Sequence, residues 1–214
     1  KRFLDIGCGP SKQLIELAKQ DYQSIGLDLS AEMLKYLKRV AKDKGLEIEA
    51  VKADFVNFKL SKKVDFACML MGTISYIGSN ETFTKHLNSV ASNLNKGGLY
   101  LIENIIIDWS SPKLFKPQTW IMKQNGITVK TTYKIDPKDT LKQTVNAQLN
   151  LDINDNGKKI ALPSNYTSKI IFPEEIKALV KNQGQFELVG WFERYSTKPL
   201  KTAVPDNILL LRKK

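Results

Sequence analysis

Phe3-Leu4-Asp5-Ile6-Gly7-Cys8-Gly9-Pro10-Ser11 is the stretch that decides the fold. Its first four residues have the apolar character of a short buried strand, which Gly7 and Gly9 then break. Apolar residues at helical spacing begin at Leu14, so the stretch predicts a strand, a glycine turn and a helix. Such glycines let the backbone approach a ligand closely, beside the free N–H groups of a helix N-terminus.

The alternation of strand and helix continues along the chain. Further strands are predicted at residues 24–28, 46–51, 64–71, 99–107, 186–194 and 207–212, and helices at 31–45, 81–95 and 173–182. Alternating strands and helices are typical of parallel sheets covered on both faces. We therefore predict an α/β fold with a doubly wound, mostly parallel, seven-stranded Rossmann-like sheet.

The pattern changes after Asp108. Residues 110–126 are predicted to form an irregular loop, and residues 127–133, 140–153 and 158–172 to form three strands rich in threonine and β-branched side chains. Asn156-Gly157 predicts a hairpin turn, because this pair suits positive φ. We thus predict one domain over 1–214, with a core at 1–107, an antiparallel β insert at 108–172, and a C-terminal helix with the last two strands at 173–214.

Positive charge dominates the composition, with 33 Lys and Arg against 22 Asp and Glu, a net charge of +11. Most of these cations are lysines spread through every segment, and lysine lacks the bidentate fork that favours phosphate and base recognition. A solvated lysine-rich surface therefore explains the charge better than a nucleic-acid site.

The length of the apolar runs and the number of cysteines bear on where in the cell the protein is expected. No apolar run approaches the about 20 residues that cross a bilayer, and two cysteines do not make a disulfide framework. We expect a soluble protein in the cytoplasm, without a membrane partner. Lys1 leads almost directly into a strand without a start methionine, so we also expect residues upstream of it.

Acidic residues follow two of the predicted strands. Asp28 ends the second strand, where a carboxylate can accept hydrogen bonds from two ribose hydroxyls. Asp54 ends the third, where it can accept a bond from an adenine amino group, with Phe55 as an aromatic wall. Lys12 occupies the last glycine position of Gly-x-Gly-x-x-Gly, which argues against a dinucleotide dehydrogenase.

An ordered set of motifs resembles the class I S-adenosylmethionine (SAM)-dependent methyltransferases over residues 2–107. It consists of Leu4–Pro10, Gly26–Ser30 with Met33, Ala53–Phe55, Asp65–Met71 and Leu94–Gly98. The resemblance implies SAM as cofactor and S-adenosylhomocysteine as its product. It implies that Asp5, Gly7 and Gly9 hold the methionine end, Asp28 the ribose, and Met33, Asp54 and Phe55 the adenine, with Cys8, Leu29 and Met71 as further cofactor contacts. Ser11 departs from the family, in which glycine is common at this position.

A narrower resemblance rests on Leu70–Ile77, Gly98–Glu103 and the antiparallel insert. These segments are similar to small-molecule N-methyltransferases acting on amino sugars or glycine-like amines, in which the insert forms a lid and often a dimer surface. The likeness implies methylation of a nitrogen or oxygen on a small-molecule acceptor, and a homodimer. Such relatives also have helices before the first strand.

Two residues are predicted on the acceptor side of the site. Tyr76 lies just past the fourth strand and Glu103 ends the fifth, so both are candidate catalytic residues at the ligand edge. His86, the single histidine, lies beside Leu87 on the predicted 81–95 helix, and we expect it to be exposed or packed rather than a general base.

The remaining candidates favour structural roles. Trp109 and Trp120 are expected to anchor the lid more than to line a pocket. Cys8 and Cys68 have no neighbour that would make either a nucleophile, and no His, Cys and Asp cluster has metal-ligand spacing, so no metal is predicted. Two alternatives stay open, an RNA or protein methyltransferase, which the net charge would suit, and a non-catalytic SAM-binding protein.

Overall fold

The computed structural model describes residues 1–108, 111–202 and 206–214. The chain divides into two compact units. The first consists of Lys1–Ile74, Ser79–Ile107 and Ile171–Lys214, and the second of Ser75–Gly78 and Asp108–Ile170. The assignment of the whole chain to one domain stays a prediction, and each unit is described separately.

A seven-stranded sheet forms the first unit. Its strands are β1 (Arg2–Ile6), β2 (Gln23–Asp28), β3 (Ile48–Lys52), β4 (Val64–Met69), β5 (Leu94–Glu103), β10 (Phe186–Glu193) and β11 (Asn207–Lys213). They lie in the order β3-β2-β1-β4-β5-β11-β10, and only β11 runs antiparallel to its neighbours. The predicted mostly parallel Rossmann-like sheet is confirmed. Because β1 to β5 are parallel, their carboxyl ends meet at one edge.

In the part of the chain that the structure describes, four α-helices connect these strands: α1 (Lys12–Ala18), α2 (Ala31–Asp43), α3 (Asn80–Asn93) and α4 (Pro173–Gln183). The first three begin at serine caps, Ser11, Ser30 and Ser79, whose side chains accept hydrogen bonds from backbone N–H groups of the first turn. Proline begins α4, and Gly184, at φ 80°, ends it. None of the described helices is long and apolar enough to cross a membrane.

The core lies against both faces of the sheet. Side chains from the central strands, including Leu4, Ile25, Met69 and Ile102, are at most 1% exposed. On one face, Leu14 and Ile15 of α1 pack with Leu34, Leu37 and Ala41 of α2. Burial of apolar surface at this density is the main stabilising contribution to such a unit.

The second unit is an antiparallel sheet with strand order β6-β7-β8-β9, formed by Gln118–Gln124, Ile127–Asp139, Thr144–Asp155 and Lys158–Lys169. The predicted insert is confirmed, but the loop predicted over 110–126 was wrong in part, because β6 lies within it. Asn125-Gly126 joins β6 to β7 with φ of 49° and 79°, just as Asn156-Gly157 joins β8 to β9 with φ of 48° and 95°.

A short segment before α3 also belongs to the second unit. The N–H of Lys169 donates to the Ile77 carbonyl over 3.0 Å, and the ring of Tyr76 stacks on that of Tyr166. The sequence carried no signal for this association, because its two partners are distant along the chain.

His86 is fully buried in α3. Of the two expectations for this residue, exposed or packed, the structure shows the packed one. Its Nδ1 lies 2.8 Å from the Phe55 carbonyl and its Nε2 lies 2.6 Å from the Tyr100 hydroxyl. A carbonyl can only accept, so Nδ1 carries the proton and Nε2 accepts from Tyr100. Burial lowers the pKa of His86 to about 4, which keeps the imidazole neutral.

This burial predicts a pH-dependent stability. The unfolded chain takes up a proton on His86 near pH 6.5 and the folded protein only near pH 4, so stability is full above pH 6.5 and is lost as the pH falls through this window. The loss amounts to at most about 3 kcal/mol. Urea unfolding at pH 7 and pH 5 should show this fall in the wild type and a smaller one in His86→Phe.

The same variant should lose about 1–3 kcal/mol at pH 7, because the Phe55 carbonyl and Tyr100 hydroxyl lose their buried partner. Equal pH dependence in the two proteins would show that His86 is not the titrating group.

A candidate ligand site at the carboxyl edge of the sheet

The loop after β1 approaches the end of β2. The N–H groups of Gly7 and Cys8 both donate to the Leu27 carbonyl, over 2.8 and 3.0 Å. Gly7 has φ 67°, and a Cβ there would lie 2.5 Å from the Thr73 methyl carbon, so only glycine fits. Gly9 has φ 51°, but nothing lies within 4 Å of its Cβ position. The loop is therefore crowded at Gly7 and open at Gly9.

Asp5 organises this loop from inside. It is 1% exposed, and one carboxylate oxygen accepts from Ser11 Oγ and Gln13 Nε2, each over 2.7 Å, while the other lies 3.6 Å from Cys68 Sγ. Burial raises the pKa of Asp5, and the hydrogen bonds from Ser11, Gln13 and Cys68 oppose that rise. Its direct contact with a cofactor stays a prediction.

Ser11, which departs from the family's usual glycine, has a structural explanation. It is buried and lies in the left-handed region at φ 31°. A residue with a Cβ adopts this conformation only at a cost in free energy. Its hydroxyl donates to Asp5 and accepts from Leu14 N over 3.3 Å, which caps α1. Two hydrogen bonds thus offset the strain that glycine would avoid.

Asp28 connects the loop to the next helix. One oxygen accepts from Gly9 N over 2.7 Å and the other from Ser30 N over 2.8 Å. A carboxylate offers about four acceptor positions, so about two remain for a ligand. The neighbouring apolar side chains of Leu29 and Met33 are 68% and 44% exposed. The edge near Asp28 therefore combines a carboxylate with apolar surface.

Asp54 and Phe55 follow β3. Asp54 is exposed, and its Oδ1 accepts from Val56 N over 2.8 Å. The partly buried Phe55 ring meets the His86 ring edge-on, with centroids 5.5 Å apart. His86 thus fixes the Phe55 backbone and packs against its ring, which makes it a support for the predicted adenine wall.

A cavity of about 850 Å³ lies beyond β4 at this same edge. Its polar lining comes from Gln13, Glu103, Arg194, Ser196 and Thr197, and its apolar lining includes Leu70, Met71 and Leu101. Glu103 is 5% exposed, accepts from Met71 N over 2.6 Å and pairs with Arg194 Nε over 2.5 Å. Both oxygens of this predicted catalytic carboxylate are therefore engaged.

Tyr76 belongs to the second unit, whereas Glu103 belongs to the first. The Tyr76 side chain is 52% exposed, and its ring lies 4.4 Å from that of Tyr166, centroid to centroid, at 31°. Burial raises the pKa of Tyr76, and Tyr166 adds to that rise. A phenol of this kind is protonated near neutral pH, so it can donate a hydrogen bond or offer a ring face.

The other candidates fall in different places. Trp109 lies outside the described residues, and Trp120 is 44% exposed on β6. Burial raises the pKa of the Cys8 and Cys68 thiols, and the Asp5 carboxylate raises both further. Among the residues that the structure describes, no group of three or more His, Cys, Asp or Glu could hold a metal ion.

Arg194 and Gln13 are site residues that sequence reasoning missed. Gln13 lies in the first turn of α1, one residue after Lys12. A polar side chain in the first turn after the glycine loop is a sequence signal that could have indicated it. Arg194 follows β10, and no spacing relates it to Glu103.

Part of the chain that contains this edge is similar to known proteins. Residues 3–98 match the family described as "Methyltransferase domain". This stretch of the chain is therefore similar to a methyltransferase domain. The resemblance to class I SAM-dependent methyltransferases is thereby confirmed. A curated relative, the dTDP-3-amino-3,4,6-trideoxy-alpha-D-glucopyranose N,N-dimethyltransferase of Streptomyces venezuelae, is 25% identical over 131 residues, which cover 59% of this chain and 52% of that protein.

Solved structures of methyltransferases share the fold. A S-adenosylmethionine-dependent methyltransferase from Clostridium acetobutylicum matches with a TM-score of 0.81 at 18% identity, covering 99% of this chain and 83% of that one. DesVI from Streptomyces venezuelae matches with a TM-score of 0.78 at 17% identity, over 100% and 84% of the two chains. The chain spans about half the length of the curated relatives it matches.

The Ser11 hydroxyl gives a test of the loop. Ser11→Ala keeps the left-handed strain but loses both hydrogen bonds, and should lower the free energy of unfolding by about 1–3 kcal/mol. Ser11→Gly loses the same bonds but relieves the strain, so its loss should be smaller. Urea unfolding at pH 7 measures both. Equal losses would show that strain at Ser11 is negligible.

Proposed function

We propose that this chain is a SAM-dependent methyltransferase that transfers a methyl group to the amino nitrogen of a small molecule, with an amino sugar as the acceptor. The observation that carries the proposal is the open loop at Gly9 beside the Asp28 carboxylate, within a methyltransferase domain. The curated relative named as an amino-sugar N,N-dimethyltransferase supports the choice of nitrogen over oxygen.

The residues at the sheet edge fit SAM. The free acceptor positions of Asp28 suit two ribose hydroxyls, and the exposed side chains of Leu29 and Met33 suit an apolar purine. One oxygen of Asp54 is left to accept from an adenine amino group. The open Cβ side of Gly9 leaves room beside the loop for the methionine end, with Gly7 and Cys8 holding the backbone.

The chemistry requires mainly orientation. SAM, when bound, supplies a methyl group that is already activated by the positive charge on sulfur. The protein must align the acceptor lone pair with that methyl group and exclude water, and alignment contributes up to about 7–11 kcal/mol in well-oriented reactions. An amine that arrives protonated must first lose its proton. We propose that Tyr76 and Glu103 act on the acceptor side.

The cavity beside Met71 supports a metabolite as acceptor. Its volume of about 850 Å³ falls within the about 300–1,000 Å³ of pockets that bind small molecules. Its lining mixes apolar carbons with hydroxyls, an amide and an ion pair, which suits a polyhydroxylated ligand. The net charge of +11 would suit the alternative of an RNA or protein methyltransferase, but it does not account for this cavity. The other alternative, a non-catalytic SAM-binding protein, is distinguished by the acceptor screen. A homodimer and a cytoplasmic location stay predictions.

Calorimetry and an acceptor screen test the proposal together. SAM and S-adenosylhomocysteine should each bind with one site per chain, and methyl transfer should be detected with free or nucleotide-linked amino sugars. Hydroxylated sugars that lack the amine, mixed RNA and a protein extract are the matched negative acceptors. Binding without transfer to any acceptor would favour a non-catalytic protein, and no binding at millimolar cofactor would overturn the proposal.

Asp28 gives the residue-level test of the cofactor assignment. Asp28→Ala removes the acceptor for the ribose and for Gly9 N, and should weaken SAM binding by about 10- to 100-fold, as expected for charge-assisted hydrogen bonds. Asp43→Ala, which removes an exposed acid at the end of α2, is the matched control and should bind as the wild type does. An unchanged dissociation constant in Asp28→Ala would remove Asp28 from the ribose role.

Tyr76 is tested by separating its ring from its hydroxyl. Since its raised pKa keeps the phenol protonated, we expect it to act through the ring face and not as a base. Tyr76→Phe should keep kcat within about threefold, while Tyr76→Ala should raise the acceptor KM by about 3- to 10-fold, the size of an aromatic contact. Steady-state kinetics at pH 7.5 would contradict this if Tyr76→Phe lost as much activity as Tyr76→Ala.

A further inference from the structure

The turn after β4 holds a residue in an unfavourable conformation. Met71 and Gly72 both lie in the left-handed region, at φ 56° and 69°. Glycine adopts this region freely, but methionine does so at a cost in free energy. The Met71 side chain is 80% exposed, so its packing does not offset that cost. Its N–H instead donates to Glu103 Oε2 over 2.6 Å.

Glu103 is itself held in place from the other side. Its second oxygen pairs with Arg194 Nε, and the Arg194 Nη1 pairs with Asp206 over 2.9 Å. The Arg194 backbone N–H also donates to the Asp206 carbonyl over 2.8 Å. The carboxylate is therefore fixed by a cation that is anchored at two further points.

The far side of the turn contacts the loop after β1, residues 7–11, which we call the Gly7 loop. Thr73 donates to the Leu70 carbonyl through both its N–H, over 3.1 Å, and its Oγ1, over 2.8 Å. These bonds place the Thr73 methyl carbon so close to Gly7 that a Cβ there would lie 2.5 Å from it. The Met71-Gly72 turn thus lies between the Gly7 loop and the cavity that Glu103 and Arg194 line.

We infer that Glu103, held by Arg194, is a positioning residue that sets the conformation of the Met71-Gly72 turn and so the placement of the Gly7 loop relative to the cavity. The inference rests on the proposed function where it assigns the loop to the methyl donor and the cavity to the acceptor. Within that assignment, the ion pair of Glu103 and Arg194 governs the alignment of the methyl donor with the acceptor. It does not transfer a proton, because Glu103 acts through the Met71 N–H.

Amide hydrogen exchange of the ligand-free protein tests the structural part without any catalysis. In Glu103→Leu the Met71 amide should exchange at least about tenfold faster, while the Cys68 and Met69 amides within β4 keep their protection. Glu187→Leu is the matched control, because it removes an exposed glutamate of β10 that pairs with Arg212 and leaves the Glu103 contacts in place, and Met71 should exchange as in the wild type. Unchanged exchange of Met71 in Glu103→Leu would overturn the inference.

Glu103→Asp provides a second variant in case Glu103→Leu fails to fold. It keeps the charge beside Arg194, but it is one methylene too short to reach both partners at once. Met71 exchange should therefore rise by several-fold while the melting temperature changes little. Wild-type exchange at Met71 in this folded variant would again overturn the inference.

Double variants test the consequence for alignment. Met71→Gly removes the left-handed cost together with the side chain, whereas Met71→Ala removes only the side chain. Adding Glu103→Leu should reduce kcat by about tenfold or more in the Met71→Ala protein and by less than about threefold in the Met71→Gly protein. The SAM dissociation constant of each variant is measured in parallel. Equal losses in the two backgrounds would overturn a role through the turn.

The pH profile separates positioning from base catalysis. Glu103→Gln keeps an oxygen that can accept from Met71 N, so its kcat/KM profile should keep the acidic limb of the wild type at a reduced height. Loss of that limb would identify Glu103 as the base and overturn the inference. If the wild type transfers no methyl group at all, the proposed function fails, and the exchange of the Met71 amide still decides the role of Glu103.

Discussion

The buried carboxylate of Asp5 is the constraint on which the ligand edge depends. A carboxylate that is 1% exposed must find hydrogen bonds inside the protein, because burial without them costs several kcal/mol. It finds them in Ser11, Gln13 and the Cys68 thiol. Meeting this demand holds Ser11 in the left-handed region and so begins α1 at that point. The loop is therefore ordered before a ligand arrives, which reduces the entropy lost on binding.

The sequence predicted the sheet well because its strands are buried on both faces. Apolar runs such as Val64–Met69 and glycines at strand ends are direct consequences of that burial. β6 escaped prediction for the opposite reason, since all of Gln118–Gln124 is exposed and no core imposes a pattern on it. The early start of β5, at Leu94, escaped as well, because Asn95 to Gly98 are residues that usually end a helix.

The residues of the candidate site also differ in whether the sequence could predict them. Asp28 and Asp54 could be predicted because the carboxyl ends of parallel strands meet at one edge, so residues after successive strands become neighbours. The Arg194 partner of Glu103 could not, because Arg194 follows β10, which reaches β5 only through β11. The burial of His86 depends equally on distant groups, the Phe55 carbonyl and the Tyr100 hydroxyl. Local patterns thus place residues at the edge, and tertiary pairing decides what each can do.

The chemical labelling rates of the two thiols beside Asp5 can report how often this part of the protein opens. Cys8 and Cys68 are the chain's two cysteines, and burial beside Asp5 keeps both protonated near neutral pH. Alkylating reagents need an accessible thiolate, so they react slowly with both while the structure stays closed. The labelling rate then measures how often the loop and β4 open to solvent, a local free energy distinct from global unfolding. A bound ligand that holds the loop would slow Cys8 labelling without any signal of its own.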